Sequence, residues 1–108
     1  MSAFREDLKG SRTVPGSGHT NGMAAAETWD RRSVALAFGR VLRQKRRARE
    51  LSQEEFAELS GLDRTTPSLY ERGLRQPTLS SLMLIAEALG EEAGELVRAA
   101  LERLQQRP

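Results

Sequence analysis

Arginine dominates the chemistry available to this sequence. Fifteen of the seventeen cationic residues are arginine, and residues 33–50 hold six basic residues against one acidic residue. The planar guanidinium can donate two hydrogen bonds at once to a phosphate or a carboxylate. Two interpretations of this basic segment remain equally open: a surface that binds nucleic acid, and the solvated face of a helix. Residues 51–62 carry three acids and no base, and residues 78–108 are net acidic, so the positive charge is local.

Side chains suited to catalysis or metal binding are scarce. The sequence has no cysteine, so neither a disulfide framework nor a cysteine-rich zinc site is expected. The only histidine, His19, lies in a stretch rich in glycine and serine and is expected to be solvated. The GSG at 16–18 is too short for a phosphate-binding loop, and no nucleophile–base pair is recognisable. We therefore expect no enzymatic activity, no metal and no cofactor.

Residues 1–32 are predicted to form a flexible or disordered arm, because residues 1–22 contain four glycines, three serines and a proline. Met23 offers a second translation start, a hypothesis that mass spectrometry of the native product tests. No apolar run approaches the ~18 residues of a membrane span. The N-terminus also lacks the apolar segment of a secretory signal. The expectation is a cytoplasmic protein, without a membrane partner, whose single domain covers residues 33–108.

Residues 51–73 are predicted to form two short helices joined by a tight turn. Ser52 and Glu55, three residues apart, have the spacing of a capping box at the start of a helix. Gly61 ends that helix, since a left-handed residue at a helix terminus favours glycine. Asp63 is predicted to cap the second helix, and Gly73 to close it. This layout is typical of a helix-turn-helix. The apolar face of the first helix is predicted to contain Phe56, Ala57 and Leu59.

Three further helices are predicted around this pair. One begins at Ser33 as N-cap and runs to about Arg49, and another runs from Thr78 to Leu89, where Gly90 ends it. No segment alternates as a strand would, so the chain is predicted to be all-α with five helices. The last helix carries an apolar stripe that contains Ala93, Leu96, Val97, Ala100, Leu101 and Leu104.

Four motifs occur at fixed spacing: LSQEEFAE at 51–58, Gly61, ERG at 71–73, and a close of P-T-L and A-x-A-L-G within 77–90. Through them, residues 38–101 resemble the Cro/cI-type helix-turn-helix family, also called the XRE family. The LDRT at 62–65 is similar to that of small restriction-modification controller proteins. The resemblance implies a five-helix, lambda-repressor-like DNA-binding domain whose third helix, about residues 64–73, enters the major groove.

The resemblance also implies roles for individual residues. Gln53, at a helix N-terminus, would brace a phosphate and the recognition helix. Arg46 and Glu71 correspond to the family's internal ion pair. The positions expected to contact bases are Arg64, Thr65, Thr66, Ser68 and Leu69. Contacts with the DNA backbone are expected from Gln53, Arg43, Arg72 and Arg75.

Helical spacing predicts which residues of the recognition helix face the core. Pro67, Tyr70 and Leu74 fall near one face and are expected to pack inward. Leu69 falls on another face and is expected to meet a thymine methyl group or the groove wall.

The sequence departs from the family pattern at three positions. Pro67 replaces a β-branched residue and, counted from Asp63, would sit at N4, later than is ideal for proline. Glu50 stands where glycine is frequent, so the turn is expected to differ in conformation there. Lys45 replaces an apolar residue and is expected to extend its amine to solvent.

The function that best fits is a sequence-specific DNA-binding transcriptional regulator, acting as a homodimer on palindromic double-stranded DNA. The dimer surface is predicted to contain Leu96, Val97, Ala100, Leu101 and Leu104. The alternative is that this stripe completes the core of a single chain. A second functional hypothesis is an antitoxin or a coactivator-like protein-interaction module with the same fold, with a protein partner on the N-terminal arm.

Overall fold

Apolar residues at helical spacing produce helices throughout the described part of the chain. A computed structural model describes residues 29–106, which form five helices and no strand. These helices are α1 (Arg31–Ala48), α2 (Gln53–Ser60), α3 (Thr66–Glu71), α4 (Leu79–Leu89) and α5 (Ala93–Gln105). The predicted all-α, five-helix class is confirmed. The proposed start at Met23 and most of the predicted arm lie outside the described residues.

The longest helix, α1, organises the core. It packs against α5 along one side and against α3 along another, and α4 contacts both α2 and α5. Burial of these apolar side chains is the main term that holds the five helices together. The fully buried side chains of greatest volume are Phe56, Leu42, Ile85, Leu89, Leu96, Val41 and Pro67.

The predicted capping signals place the helix ends. Ser52 Oγ accepts a hydrogen bond from the Glu55 backbone N–H at 3.0 Å, and Glu55 Oε1 accepts from the Ser52 N–H at 2.8 Å. Both halves of the capping box are therefore present. Gly61 ends α2 in a left-handed conformation with φ of 76°, and Thr78 caps α4. These caps satisfy backbone groups that have no partner within the helix at three helix ends: both ends of α2 and the start of α4.

Two local predictions were wrong. The first helix starts at Arg31, so Ser33 lies inside its first turn instead of capping it. Leu59 is 62% exposed, and the buried position beside it belongs to Ser60, whose hydroxyl donates to the Phe56 carbonyl at 2.7 Å. The buried face of α2 is formed by Phe56, Ala57 and Ser60, and Leu59 lies outside this face.

The α1–α2 turn keeps a glycine-like backbone although it contains no glycine. Glu50 has a φ of 58°, the left-handed region, and its N–H donates to the Arg47 carbonyl at 2.9 Å. The expected change in conformation at Glu50 is therefore absent. Glu50 is instead strained, because a Cβ atom on a left-handed residue lies too close to the following carbonyl oxygen. Lys45, the third departure, is half-buried and pairs with Glu91 at 3.3 Å.

The backbones of α1 and α3 meet at Gly39. A Cβ atom built at this position would lie 2.3 Å from the Tyr70 carbonyl oxygen and 2.8 Å from the Glu71 carbonyl oxygen. The absence of a side chain at position 39 therefore sets how closely α3 approaches α1.

Among residues 29–106, no helix is both long enough and apolar enough to span a membrane.

Candidate nucleic-acid interface

The turn between α2 and α3 is built around the Asp63 carboxylate. Asp63 Oδ2 accepts hydrogen bonds from the Thr65 hydroxyl at 2.7 Å and from the Thr65 backbone N–H at 3.2 Å. The hydrogen bond from the Thr65 hydroxyl is the main cause that lowers the pKa of Asp63, and the Thr65 backbone N–H adds to it. This Asx-type turn delays the regular helix until Thr66. The predicted helix start near Arg64 is thus two residues too early.

The later helix start explains why Pro67 is tolerated. Pro67 is the second residue of α3, where a backbone N–H has no partner within the helix. Its ring is fully buried. The expected conflict at N4 does not occur, and the proline helps to fix the first turn of α3.

A hydrogen-bonded ion pair joins three helices at the end of α3. Arg46 Nε lies 2.6 Å from Glu71 Oε2, and Arg46 Nη2 lies 3.0 Å from Glu71 Oε1. Arg46 Nη1 also donates to the Leu51 carbonyl, and Gln53 Nε2 donates to Glu71 Oε1 at 3.0 Å. The predicted Arg46–Glu71 pair is present, and Gln53 is its third member.

The position of this network determines its effect. The Glu71 side chain is only 4% exposed, so its charge depends on Arg46 and Gln53 for compensation. The hydrogen bonding of the Arg46 guanidinium to the Glu71 carboxylate is the main cause that raises the pKa of Arg46. Because Gln53 is the first residue of α2, the network fixes the start of α2 against the end of α3.

The residues predicted to contact bases divide into exposed and buried groups. Arg64 and Thr65 are exposed, whereas Ser68 and Leu69 are half-buried. Thr66 is 7% exposed, so its predicted base contact is wrong. Because α3 starts at Thr66, its first turn differs from the predicted one, and Thr66 lies on the buried face with Pro67 and Tyr70. The prediction that Leu74 packs inward is also wrong, because Leu74 is 55% exposed.

The Leu74 error has a backbone cause. Gly73 adopts a φ of 72° and ends the helical periodicity, so spacing counted along α3 does not extend to Leu74. Pro67 and Tyr70, which precede this break, are buried as predicted.

Arg64 is paired in this structure. Its Nη2 lies 3.1 Å from Glu54 Oε2, and the side chains of the two residues are 77% and 65% exposed. An ion pair this exposed is weak, typically below about 1 kcal/mol. The guanidinium is therefore available to a stronger acceptor.

Further arginines flank the motif. Arg43, Arg72 and Arg75 are exposed, and Arg72 Nε lies 3.2 Å from Ser68 Oγ. Sequence reasoning missed the pair Arg31 and Arg32, which it assigned to the arm. A cleft of about 270 Å³ brings both of them together with Arg75, and Gln76 Nε2 donates to the Arg31 carbonyl at 3.3 Å. The Arg-Arg dipeptide beside the predicted helix start was the available signal.

The predicted dimer surface on α5 requires correction. Leu96 is fully buried and Ala100 is 8% exposed, so both side chains belong to the core of one chain. They therefore offer almost no exposed surface to a second subunit. Val97 remains exposed, and Leu101 and Leu104 are half-buried.

Comparison with known proteins agrees with this geometry. Residues 42–96 match the family described as helix-turn-helix, and this range contains α2, α3 and α4 in full. The chain belongs to the helix-turn-helix family. Control protein C.SmaI from Serratia marcescens is 43% identical over 56 residues, which cover 52% of this chain and 67% of that protein.

Two other helix-turn-helix proteins are similar over a larger share of their own length. The uncharacterised HTH-type transcriptional regulator y4dJ from Sinorhizobium fredii is 40% identical over 67 residues, or 62% of this chain and 82% of that protein. The crystal structure of the restriction-modification controller protein C.AhdI from Aeromonas hydrophila has a TM-score of 0.56 and 45% identity. It covers 57% of this chain and 94% of that one. These relatives are regulators and controller proteins, and DNA-binding transcription regulation of the XRE type is supported for this helix-turn-helix protein.

Proposed function

We propose that this protein is a sequence-specific transcriptional regulator that inserts α3 into the major groove of double-stranded DNA. The network of Arg46, Glu71 and Gln53 carries this proposal. A recognition helix of six residues has little intrinsic rigidity, because short helices depend on tertiary packing. The network fixes the orientation of α3 against the start of α2, so both can meet one duplex together.

Base recognition is assigned to Arg64, Thr65, Ser68 and Leu69. Arg64 can exchange Glu54 for the O6 and N7 acceptors of guanine, which it can contact in bidentate fashion. The Thr65 methyl group and the Leu69 side chain can meet a thymine methyl group. These contacts supply sequence preference.

Backbone contacts are assigned to residues around the edges of the motif. The first turn of α2 presents N–H groups and Gln53 to a phosphate, where the helix dipole favours a negative charge. Arg43, Arg72 and Arg75 provide further phosphate contacts, and we add Arg31 and Arg32 because they share a cleft with Arg75. Such contacts hold the register and give binding its dependence on salt.

A homodimer on a two-fold symmetric operator follows from energetic reasoning. One small module reads too few bases for high specificity, and two modules would address half-sites about 34 Å apart. Exposed apolar side chains on the last two helices offer contact area outside the core of the single chain. These side chains are Leu79, Met83, Leu84 and Val97.

In vitro selection of bound DNA, followed by footprinting, tests this function. The expected result is a palindrome with two protected half-sites and a steep decrease in affinity with added salt. Retention of no preferred sequence at any salt concentration would contradict the proposal and favour the protein-interaction module.

A further inference from the structure

A basic groove lies between α1 and α5, away from the helix-turn-helix motif. Its volume is about 420 Å³, and we call it the arginine groove. Within the described residues, none of its arginines is within ion-pair distance of a carboxylate. Several like charges without compensation destabilise the free surface and favour an anionic partner. The groove is lined by Arg40, Arg43, Gln44, Arg47 and Arg103.

An apolar cleft of about 280 Å³ adjoins the arginine groove. Leu36, Ala37 and Leu104 supply its apolar lining. Arg40 and Arg103 line both cavities, so the cleft and the groove form one continuous surface. Arg103 Nη2 also lies 3.5 Å from Gln44 Oε1, which holds one guanidinium at the boundary between α1 and α5.

Of the residues that line the arginine groove, only Arg43 is also among those proposed to contact DNA. Gly39 and Arg46 face α3, whereas Gln44 faces α5 through Arg103. A molecule in the groove would therefore leave Arg64 and its neighbours on α3 uncovered.

We propose that the arginine groove and its apolar cleft bind an acidic segment of another protein. The carboxylates would pair with Arg40, Arg47 and Arg103, whose planar guanidinium groups match a carboxylate in bidentate fashion. An apolar side chain of the same segment would fill the cleft beside Leu104. A DNA backbone could satisfy the arginines, but it has no apolar side chain for the cleft. The two adjoining cavities therefore favour a peptide.

Fluorescence anisotropy with the full chain tests this site. The probe is a labelled peptide rich in aspartate and glutamate with a central leucine. One control peptide replaces the leucine with glycine, and another replaces each acid with its amide. We expect the first peptide to bind, the glycine peptide to bind several-fold more weakly, and the amide peptide not to bind. Absence of binding by the acidic leucine peptide overturns the proposal.

Charge-reversal variants locate the binding. Arg40→Glu and Arg103→Glu should each weaken peptide binding by roughly tenfold. Arg98→Glu is the matched control, since it makes the same charge change on an exposed residue of α5 outside the groove. Equal losses in Arg98→Glu and Arg103→Glu would overturn the proposal, because the attraction would then be nonspecific.

A DNA measurement separates this site from the proposed DNA interface. A labelled duplex carrying the selected sequence should bind Arg103→Glu and Arg98→Glu equally, because neither residue is among those proposed to contact DNA. A selective loss of duplex binding in Arg103→Glu would show that the groove contacts phosphates instead. Failure of the chain to bind any duplex would count against the proposed function while leaving the peptide result intact.

Discussion

Gly39 on α1 packs directly against the Tyr70 carbonyl oxygen on α3, with no space for a methyl group between the two backbones. A Cβ atom at position 39 would lie 2.3 Å from that oxygen. Because the obstacle is backbone, no side-chain rotation relieves the clash. The observed position of α3 against α1 therefore requires glycine at residue 39.

Gly39→Ala should consequently destabilise the domain, by about 1–3 kcal/mol as in other overpacked interiors. Urea unfolding gives the free energy. Gly94→Ala on α5 is the control, since a Cβ there meets nothing within 4 Å. In a helix, that exchange should stabilise by up to about 1 kcal/mol. A gain in stability for both variants would contradict the close approach.

Arg46→Ala should be far more destabilising than Arg47→Ala. Removal of Arg46 leaves the Glu71 carboxylate buried with only Gln53 as a partner, and breaking a buried pair typically costs about 3–5 kcal/mol. Arg47 is exposed, so its loss should change the free energy of unfolding by less than about 0.5 kcal/mol. Thermal unfolding monitored by circular dichroism measures both. Equal midpoints would argue against a structural role for the ion pair.

Much of this fold follows from local signals in the sequence. The capping box at Ser52 and Glu55, and Gly61 after it, specify helix ends through bonds between near neighbours. The errors arise where tertiary structure decides. Spacing identified the stripe that includes Leu96 and Val97, but could not tell which residue faces α1 and which faces solvent. Gly39 carried no visible signal, because its role depends on how closely α3 crosses α1.

Glu50→Gly should stabilise the protein. Glu50 occupies the left-handed region with φ of 58°, where a Cβ atom costs roughly 1–2 kcal/mol. Part of this gain is offset by the greater freedom of glycine in the unfolded chain, so a net gain of about 0.5–1 kcal/mol is expected. The midpoints of urea unfolding of the wild type and the variant measure this gain in stability. Glu50→Ala retains the Cβ atom and should show no such gain; a similar gain in both variants would point to the lost charge instead.

Asp63 should make stability depend on pH in the acid range. Its pKa is lowered in the folded state, mainly by the hydrogen bond from the Thr65 hydroxyl. Asp63 therefore stabilises the fold above its unfolded-state pKa, and the contribution disappears as pH falls through the folded-state pKa. The difference in urea midpoint between the wild type and Asp63→Ala should be largest near neutral pH and should shrink in acid. Thr65→Val should remove part of this dependence, whereas a difference that stays constant with pH would refute the assignment.

Arg64→Ala should relax sequence preference at one base pair of each half-site, by roughly 1–3 kcal/mol if Arg64 contacts guanine in bidentate fashion. Arg64→Lys should not restore the preference, because an ammonium group lacks the planar fork. Competition binding with single-base variants of the selected site measures both. A uniform loss across all DNA sequences would place Arg64 on phosphate.

The Glu54–Arg64 ion pair should oppose DNA binding, because the proposed base contact requires Arg64 to leave the Glu54 carboxylate, which lies 3.1 Å away. Glu54→Gln removes this competition, and Glu58→Gln makes the same charge change on the same helix without an Arg64 partner. Both variants lower repulsion by DNA phosphates, but only Glu54→Gln frees the guanidinium. Its affinity for the selected site should therefore rise about two- to fivefold above that of Glu58→Gln, in line with an exposed pair worth up to about 1 kcal/mol. Titrations at two salt concentrations measure the gain. Identical gains in the two variants would mean that general charge repulsion, and not the ion pair, restrains binding.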